Sequence, residues 1–255
     1  QNAIRIYQNT GGHPTLLWNP KTSAASPVYR AFLAQFLPEL HQFLKRTQIF
    51  EKSSFHLSDE PHGEVHLAGY RQARWMLREL APWMKVMDAL GDIAFAREKL
   101  VDMPIPVISS AKKFVEAKIP CWTYFCCNPL GRYLNRVLET PLAKVRMAGW
   151  LFYRFQHAGF LHWGYNYWHK RATTQLINPF FQLDGEGWPG WVSGDPFVVY
   201  PGAKGPIDSI RWEIFAESLQ DYQLLQTLRV PPESLAREFV DYDRFPKSIA
   251  WLRQR

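Results

Sequence analysis

The stretch Ser54-Phe55-His56-Leu57-Ser58-Asp59-Glu60-Pro61-His62 decides how this chain is read. Ser54 to Asp59 is short and apolar enough for a buried strand, and it runs into two adjacent acids. Pro61 then fixes the turn. From Glu64 to Leu80 the pattern changes, with Leu67, Tyr70, Ala73, Arg74 and Leu77 recurring at helical spacing. A strand that passes through a turn directly into a helix begins a βα unit, the building block of parallel sheets.

The same alternation extends in both directions. Further candidate strands are Ala3 to Gln8, Met84 to Ala89, Ile105 to Ser109, Cys121 to Cys126 and Phe160 to Asn166, each nearly continuous in apolar residues, as strands covered on both faces must be. Between them, Pro27 to Lys45 spaces Phe32, Leu33, Phe36, Leu37, Leu40 and Leu44 as a helix does, despite Pro38. Asn135 to Gln156 reads as another long helix. Ser209 to Leu228 reads as the last one, capped by Asp208 or Ser209 after a Gly-Pro turn. Leu183 to Asp195, with five Gly or Pro residues, is the clearest irregular segment.

The expected class is therefore α/β, a (β/α)8 TIM-type barrel. Six candidate strands are two short of closure. An open edge of that kind invites pairing with other chains. Residues 1–255 are accordingly expected to be the C-terminal larger part of one catalytic barrel. Its first strands, and a possible β-sandwich domain before them, would lie upstream of Gln1 or come from a separate chain.

Composition narrows the functional classes. Hydrophobic residues make up 47% and charged residues 21% of the 255, an ordinary globular balance, and no apolar run reaches the roughly 18 residues of a membrane span. A net charge of +7 raises the question of nucleic acid, but Lys112, Lys113, Lys118 and the C-terminal arginines are scattered rather than gathered into an aromatic-laced stripe. Neither a nucleic-acid nor a membrane partner is expected. Three cysteines, with Cys126 and Cys127 adjacent, make no even disulfide framework and no zinc ribbon, which favours a cytoplasmic over a secreted setting. The sequence starts at Gln1 without a methionine or a signal sequence, so the true N-terminus and its targeting information are expected upstream of it. The 11 Trp, 11 Tyr and 17 Phe are the unusual feature. Flat rings suit ligands with an apolar face and a polar rim, such as sugars, although rings also fill cores.

In a parallel barrel, catalytic side chains project from the C-terminal ends of strands. Asp59 and Glu60 sit at such an end, and two neighbouring carboxylates push their pKa values apart, so that one can act as acid and the other as charge stabiliser. The residues alone also allow solvated acids ahead of a helix N-terminus.

These segments resemble the catalytic domain of glycoside hydrolase family 123, formerly a domain of unknown function. The resemblance is carried by His56-Leu57-Ser58-Asp59-Glu60-Pro61-His62, by Pro120-Cys121-Trp122-Thr123-Tyr124-Phe125-Cys126-Cys127, by Gly159-Phe160-Leu161-His162-Trp163-Gly164-Tyr165-Asn166-Tyr167-Trp168, and by Tyr200-Pro201-Gly202 leading through Gly205-Pro206 to Ser209-Ile210-Arg211. Each motif alone is weak. Their joint occurrence in order covers most of the chain.

The resemblance implies an exo-acting β-N-acetylgalactosaminidase that works by substrate-assisted catalysis, without a cofactor or metal, on glycans or glycoconjugates ending in β-linked N-acetylgalactosamine. It assigns Asp59 to orienting the sugar's acetamido group and Glu60 to general acid and base, with a pKa raised by Asp59 and by partial burial. For the sugar pocket, Trp122 and Tyr124 share one strand face and Trp163 and Tyr165 another. Together with Asn166 and His56 they are the candidate substrate-binding residues. Arg211 is expected in an ion pair with Glu213 or Asp208. Two rival readings stay open at this point. One is a metal-dependent hydrolase using His56, Asp59, His62 and His66. The other is a carbohydrate-binding protein that does no chemistry.

Overall fold

The computed structural model describes residues 6–19, 21–170, 173–184 and 191–254. The chain divides into two compact units, Gln1–Met103 and Pro104–Arg255.

The first unit opens with an antiparallel hairpin of β1 (Tyr7–Thr10) and β2 (His13–Leu16), fully exposed and paired from Tyr7↔Leu16 to Thr10↔His13. Gly11 and Gly12, at φ 62° and 88°, supply the two positive φ values that a tight hairpin turn needs. The sequence suggests a buried parallel strand at Ala3 to Gln8. Its opening residues lie outside those described, and its described end belongs to this hairpin instead.

Helix α1 (Pro27–Arg46) starts at Ser26, whose hydroxyl accepts from Tyr29 N, with Pro27 in the first turn, where its missing N–H costs nothing. Helix α2 (Gly63–Leu80) buries Leu67, Tyr70, Arg74 and Leu77 along one stripe. Leu33, Leu37, Leu77, Ala81 and Met84 form the local core, with Phe55, Leu57 and Trp83 packed on it. Each fully buried leucine contributes about 1.5–3 kcal/mol. Phe55 makes a parallel bridge to Val86, next to β3 (Met87–Ala89), and α3 (Ala94–Arg97) follows. Arg74, almost completely buried, is neutralised by Asp102 at 2.5 Å.

After β4 (Met103–Ile105) and α4 (Ala111–Glu116), the second unit continues with β5 (Thr123–Tyr124), α5 (Leu142–Val145), α6 (Ala148–Arg154) and β6 (Phe160–Leu161). The hairpin of β7 (Val199–Gly202) and β8 (Gly205–Asp208), then α7 (Ile210–Thr227) and α8 (Ile249–Leu252), complete it. β5 and β6 are parallel, Thr123↔Phe160 and Tyr124↔Leu161. The core gathers Phe125, Met147, Leu151, Phe152, Phe215 and Phe239. Gly149 lets α6 approach α7 closely, because a Cβ there would meet Ser218 O at 1.7 Å.

Among the described residues no closed barrel forms, and every sheet has two strands. That corrects the TIM-type expectation. Parallel pairing survives in fragments, and prolines show why the ladders stop. Trp122 N donates to Pro104 O and Tyr124 N to Pro106 O, both at 3.1 Å, but neither proline has an N–H to return. The helix expected from Asn135 to Gln156 is also broken. Pro141 disfavours helical backbone at Thr140, and Asn135 spends its side chain on Cys126 O, Pro129 O and the amides of Arg136 and Val137. Among the described residues no helix is long and apolar enough to cross a membrane.

His157 is buried, with Nε2 2.7 Å from Tyr242 Oη, and burial pushes its pKa down to about 4. In the unfolded chain it titrates near 6.5. Both states are neutral at pH 7. Below about 6.5 the unfolded state takes up the proton first, so folding stability falls, the loss ending near pH 4 at about 3 kcal/mol. Urea midpoints at pH 7 and pH 4.5 should differ less in His157→Gln than in the parent; an unchanged difference would refute this source of acid sensitivity.

Candidate active site

The first unit builds its site around Asp88, the middle residue of β3. Phe55 N donates to Lys85 O and Met87 N to Phe55 O, both at 2.9 Å, which aligns the 55–58 segment parallel to β3. At Leu57 and Ser58 the Asp88 carboxylate replaces the backbone as acceptor: Leu57 N donates to Oδ1 at 2.9 Å and Ser58 N to Oδ2 at 3.3 Å. Tyr70 Oη, reaching in from α2, donates to Oδ2 at 2.6 Å, and His56 Nδ1 lies 2.6 Å from Oδ1. Main-chain pairing then resumes, Glu60 N donating to Ala89 O at 3.1 Å.

The Asp88 side chain is 0% exposed. Burial pushes its carboxyl above the usual carboxylate range, against the pull of hydrogen bonds from Tyr70 and Leu57, the nearby His56 and the Ser58 amide. Burial and the Asp88 charge together raise the Tyr70 hydroxyl well above its ordinary value, so it stays protonated and donates.

Asp59 and Glu60 project from the end of this braced segment, both exposed. The partial burial expected of Glu60 is not present. Glu60 instead has φ 42°, a left-handed backbone that costs a residue with a Cβ about 1–2 kcal/mol. The turn is held from several sides. His62 Nδ1 donates to Glu60 O at 3.2 Å, Pro61 is buried, and Gly63 N donates to Asp92 Oδ2 at 3.2 Å. His66 Nδ1 accepts from His62 N at 3.1 Å, committing that ring nitrogen to the start of α2. Among the described residues no group of three or more His, Cys, Asp or Glu is placed to hold a metal ion.

The second unit holds the aromatic candidates. Trp163 and Tyr165 are each 44% exposed. Trp163 Nε1 donates to Asp195 Oδ2 at 2.9 Å, and Trp191 Nε1 donates to the same oxygen at 3.0 Å. His162 Nε2 stands 3.2 Å from Asp195 Oδ1. Tyr165 meets Trp212 edge-on at 5.3 Å, where a cavity of about 420 Å³ is lined by Arg136, Phe152, Phe160, Tyr165, Trp212 and Phe215. Asn166, exposed, makes an antiparallel bridge to Phe197. Trp122 and Tyr124 are placed differently. Trp122 is half-buried with its indole over Gly159, where a Cβ would lie 2.4 Å from the ring, and Tyr124 is buried.

Arg211 does not pair with Glu213 or Asp208. It is buried and donates to the carbonyls of Arg136, Gly194 and Phe197. Burial lowers its pKa, and takes that of Arg136 down to about 10, which leaves Arg136 charged at neutral pH. Sequence reasoning missed Asp88 and Asp195. The signal was an acid inside or beside an apolar run, Met87-Asp88-Ala89 and Asp195-Pro196-Phe197, since a charge is buried only when partners await it.

The site thus offers two adjacent carboxylates on a rigid turn, one able to orient a polar group while the other exchanges a proton. A search among curated proteins found no match. The family model described as glycoside hydrolase 123, catalytic domain, matches residues 1–228, most of this chain and all of the acid-bearing unit, and the chain belongs to that family of glycoside hydrolases.

Proposed function

We propose that the chain is a retaining, exo-acting glycosidase that releases terminal β-linked N-acetylgalactosamine, with the substrate's 2-acetamido group as nucleophile. The observation that carries this reading is the Asp59-Glu60 pair on a strained turn inside the family match, braced from below by Asp88. Strain in a non-glycine residue persists where the surroundings over-determine it, and such positions cluster at working sites.

The chemistry needs little else from the protein. The acetamido oxygen attacks the anomeric carbon as the glycosidic C–O bond breaks, and Glu60 gives its proton to the departing oxygen. Asp59 accepts a hydrogen bond from the acetamido N–H and stabilises the positive charge of the oxazolinium that forms. Water then adds at the anomeric carbon, Glu60 takes a proton from it, and the ring opens with net retention. Intramolecular attack gains from orientation already in place. Trp163, Tyr165 and Asn166, exposed in the second unit, are suited to contact a sugar.

Release of 4-nitrophenol from its β-N-acetylgalactosaminide tests the reading, with the gluco epimer and a 2-hydroxy analogue beside it. Activity on the 2-hydroxy sugar equal to that on the acetamido sugar would rule out the mechanism. Glu60→Gln should lose about 10²–10⁴-fold on substrates with poor leaving groups and much less on activated ones. Asp59→Asn should lose about 10²–10³-fold on both, because forming the oxazolinium itself suffers.

The turn makes a separate stability prediction. Glycine adopts positive φ freely and alanine does not, so Glu60→Gly should be about 1 kcal/mol more stable than Glu60→Ala in urea denaturation, although both are inactive. Equal stability would mean that Glu60 is not held in the left-handed region.

A further inference from the structure

His56 and Asp88 form a pair whose geometry goes further than bracing a strand. The Asp88 carboxylate is buried at 0% side-chain exposure, and His56 Nδ1 reaches it at 2.6 Å while the imidazole itself is 56% exposed. A carboxylate only accepts, so Nδ1 carries the proton. His56 Nε2 has no hydrogen-bond partner among the described residues. The ring is thus fixed on its inner edge and exposed on its outer one, on the segment that runs three residues further into the Asp59-Glu60 turn.

The other bonds to Asp88 fix its orientation. Leu57 N and Ser58 N claim one lone pair on each oxygen, and Tyr70 Oη claims a second on Oδ2. What remains on Oδ1 faces His56. We propose that Asp88 is a positioning residue that locks His56 as its Nδ1–H tautomer, so that Nε2 accepts a hydrogen bond from a hydroxyl of the substrate sugar. This rests on the glycosidase reading of the same site and adds a polar contact for which the chain is prepared before substrate arrives. A free neutral imidazole favours the opposite tautomer, and the orienting partner decides which nitrogen is protonated.

Replacing the carboxylate by an amide separates positioning from mere support. Asp88→Asn keeps its oxygen for the Ser58 amide and Tyr70, the two donors to Oδ2, and places its NH2 where Oδ1 stood, facing Nδ1, which drives the ring proton to Nε2 and leaves the Leu57 amide without this acceptor. A long-range ¹H–¹⁵N spectrum of the whole chain, recorded above the imidazole titration, should show His56 protonated at Nδ1 in the parent and at Nε2 in Asp88→Asn. On 4-nitrophenyl β-N-acetylgalactosaminide, KM should rise about tenfold in Asp88→Asn and in His56→Phe, with kcat little changed, as for a lost binding contact. The double variant should be no worse than His56→Phe alone. Additive losses, or an Nε2-protonated His56 in the parent, would overturn the assignment. Should Asp88→Asn fail to fold, the parent spectrum and the KM of His56→Phe still decide, and an unchanged KM there overturns it. A parent that shows the Nδ1–H pattern but hydrolyses nothing overturns the glycosidase reading and the sugar contact, leaving only the tautomer lock. A parent that hydrolyses with His56 protonated at Nε2 overturns the lock alone.

Discussion

A carboxylate without water around it must find donors, and the first unit is organised by how Asp88 finds them. Two elements supply four donors to the acid that β3 carries: the 55–58 segment through His56 and two amides, and α2 through Tyr70. Removing any of these leaves a buried charge less compensated, a cost of several kcal/mol when compensation is lost altogether. The constraint also sets where the acids stand, because Asp59 and Glu60 follow directly on the two amides that Asp88 captures.

The second unit meets the same demand with the charges reversed. Arg136 and Arg211 are both buried, and they satisfy their guanidinium groups largely with backbone carbonyls: Gly164 for Arg136, and Arg136, Gly194 and Phe197 for Arg211. The Arg136 cation also lies 5.5–5.8 Å from the rings of Phe160, Trp212 and Phe215. Asp195 plays the matching part for the aromatic residues, tying two indoles to one oxygen. In both units, buried charges hold irregular backbone where regular ladders have stopped. That is the economical use of a charge in an interior, since irregular segments have unpaired amides and carbonyls to offer it.

The strained turn and its support belong to one device. Glu60 at φ 42° would relax if its neighbours allowed it, yet Ala89 O, the buried Pro61 and the His62 ring all hold the backbone in place. An exposed acid on a mobile loop would have to be ordered during each turnover. Here that ordering is completed when the chain folds.

Helices α1, α2 and α7 were legible in the sequence nearly to their ends, because a stripe such as Leu67, Tyr70, Arg74 and Leu77 repeats with the period of the backbone that buries it. The acid pair and the family were legible too, since adjacent carboxylates before a proline are a local pattern. The barrel was not. Strand material does not say how far a ladder runs, and Pro104, Pro106 and Pro141 end pairing or helix where apolar content alone predicts continuation. Which acids would be buried and paired was also beyond sequence, because Asp88 acquires its role only when Leu57, Ser58 and Tyr70 arrive from positions 18 to 31 residues away. The sequence by itself determined the adjacent acids of the proposed site and the long helices, both of which depend on near neighbours. Tertiary structure alone decided the bracing of the acid-bearing turn and the arrest of the sheets, since each depends on donors and acceptors that meet only when distant segments pack.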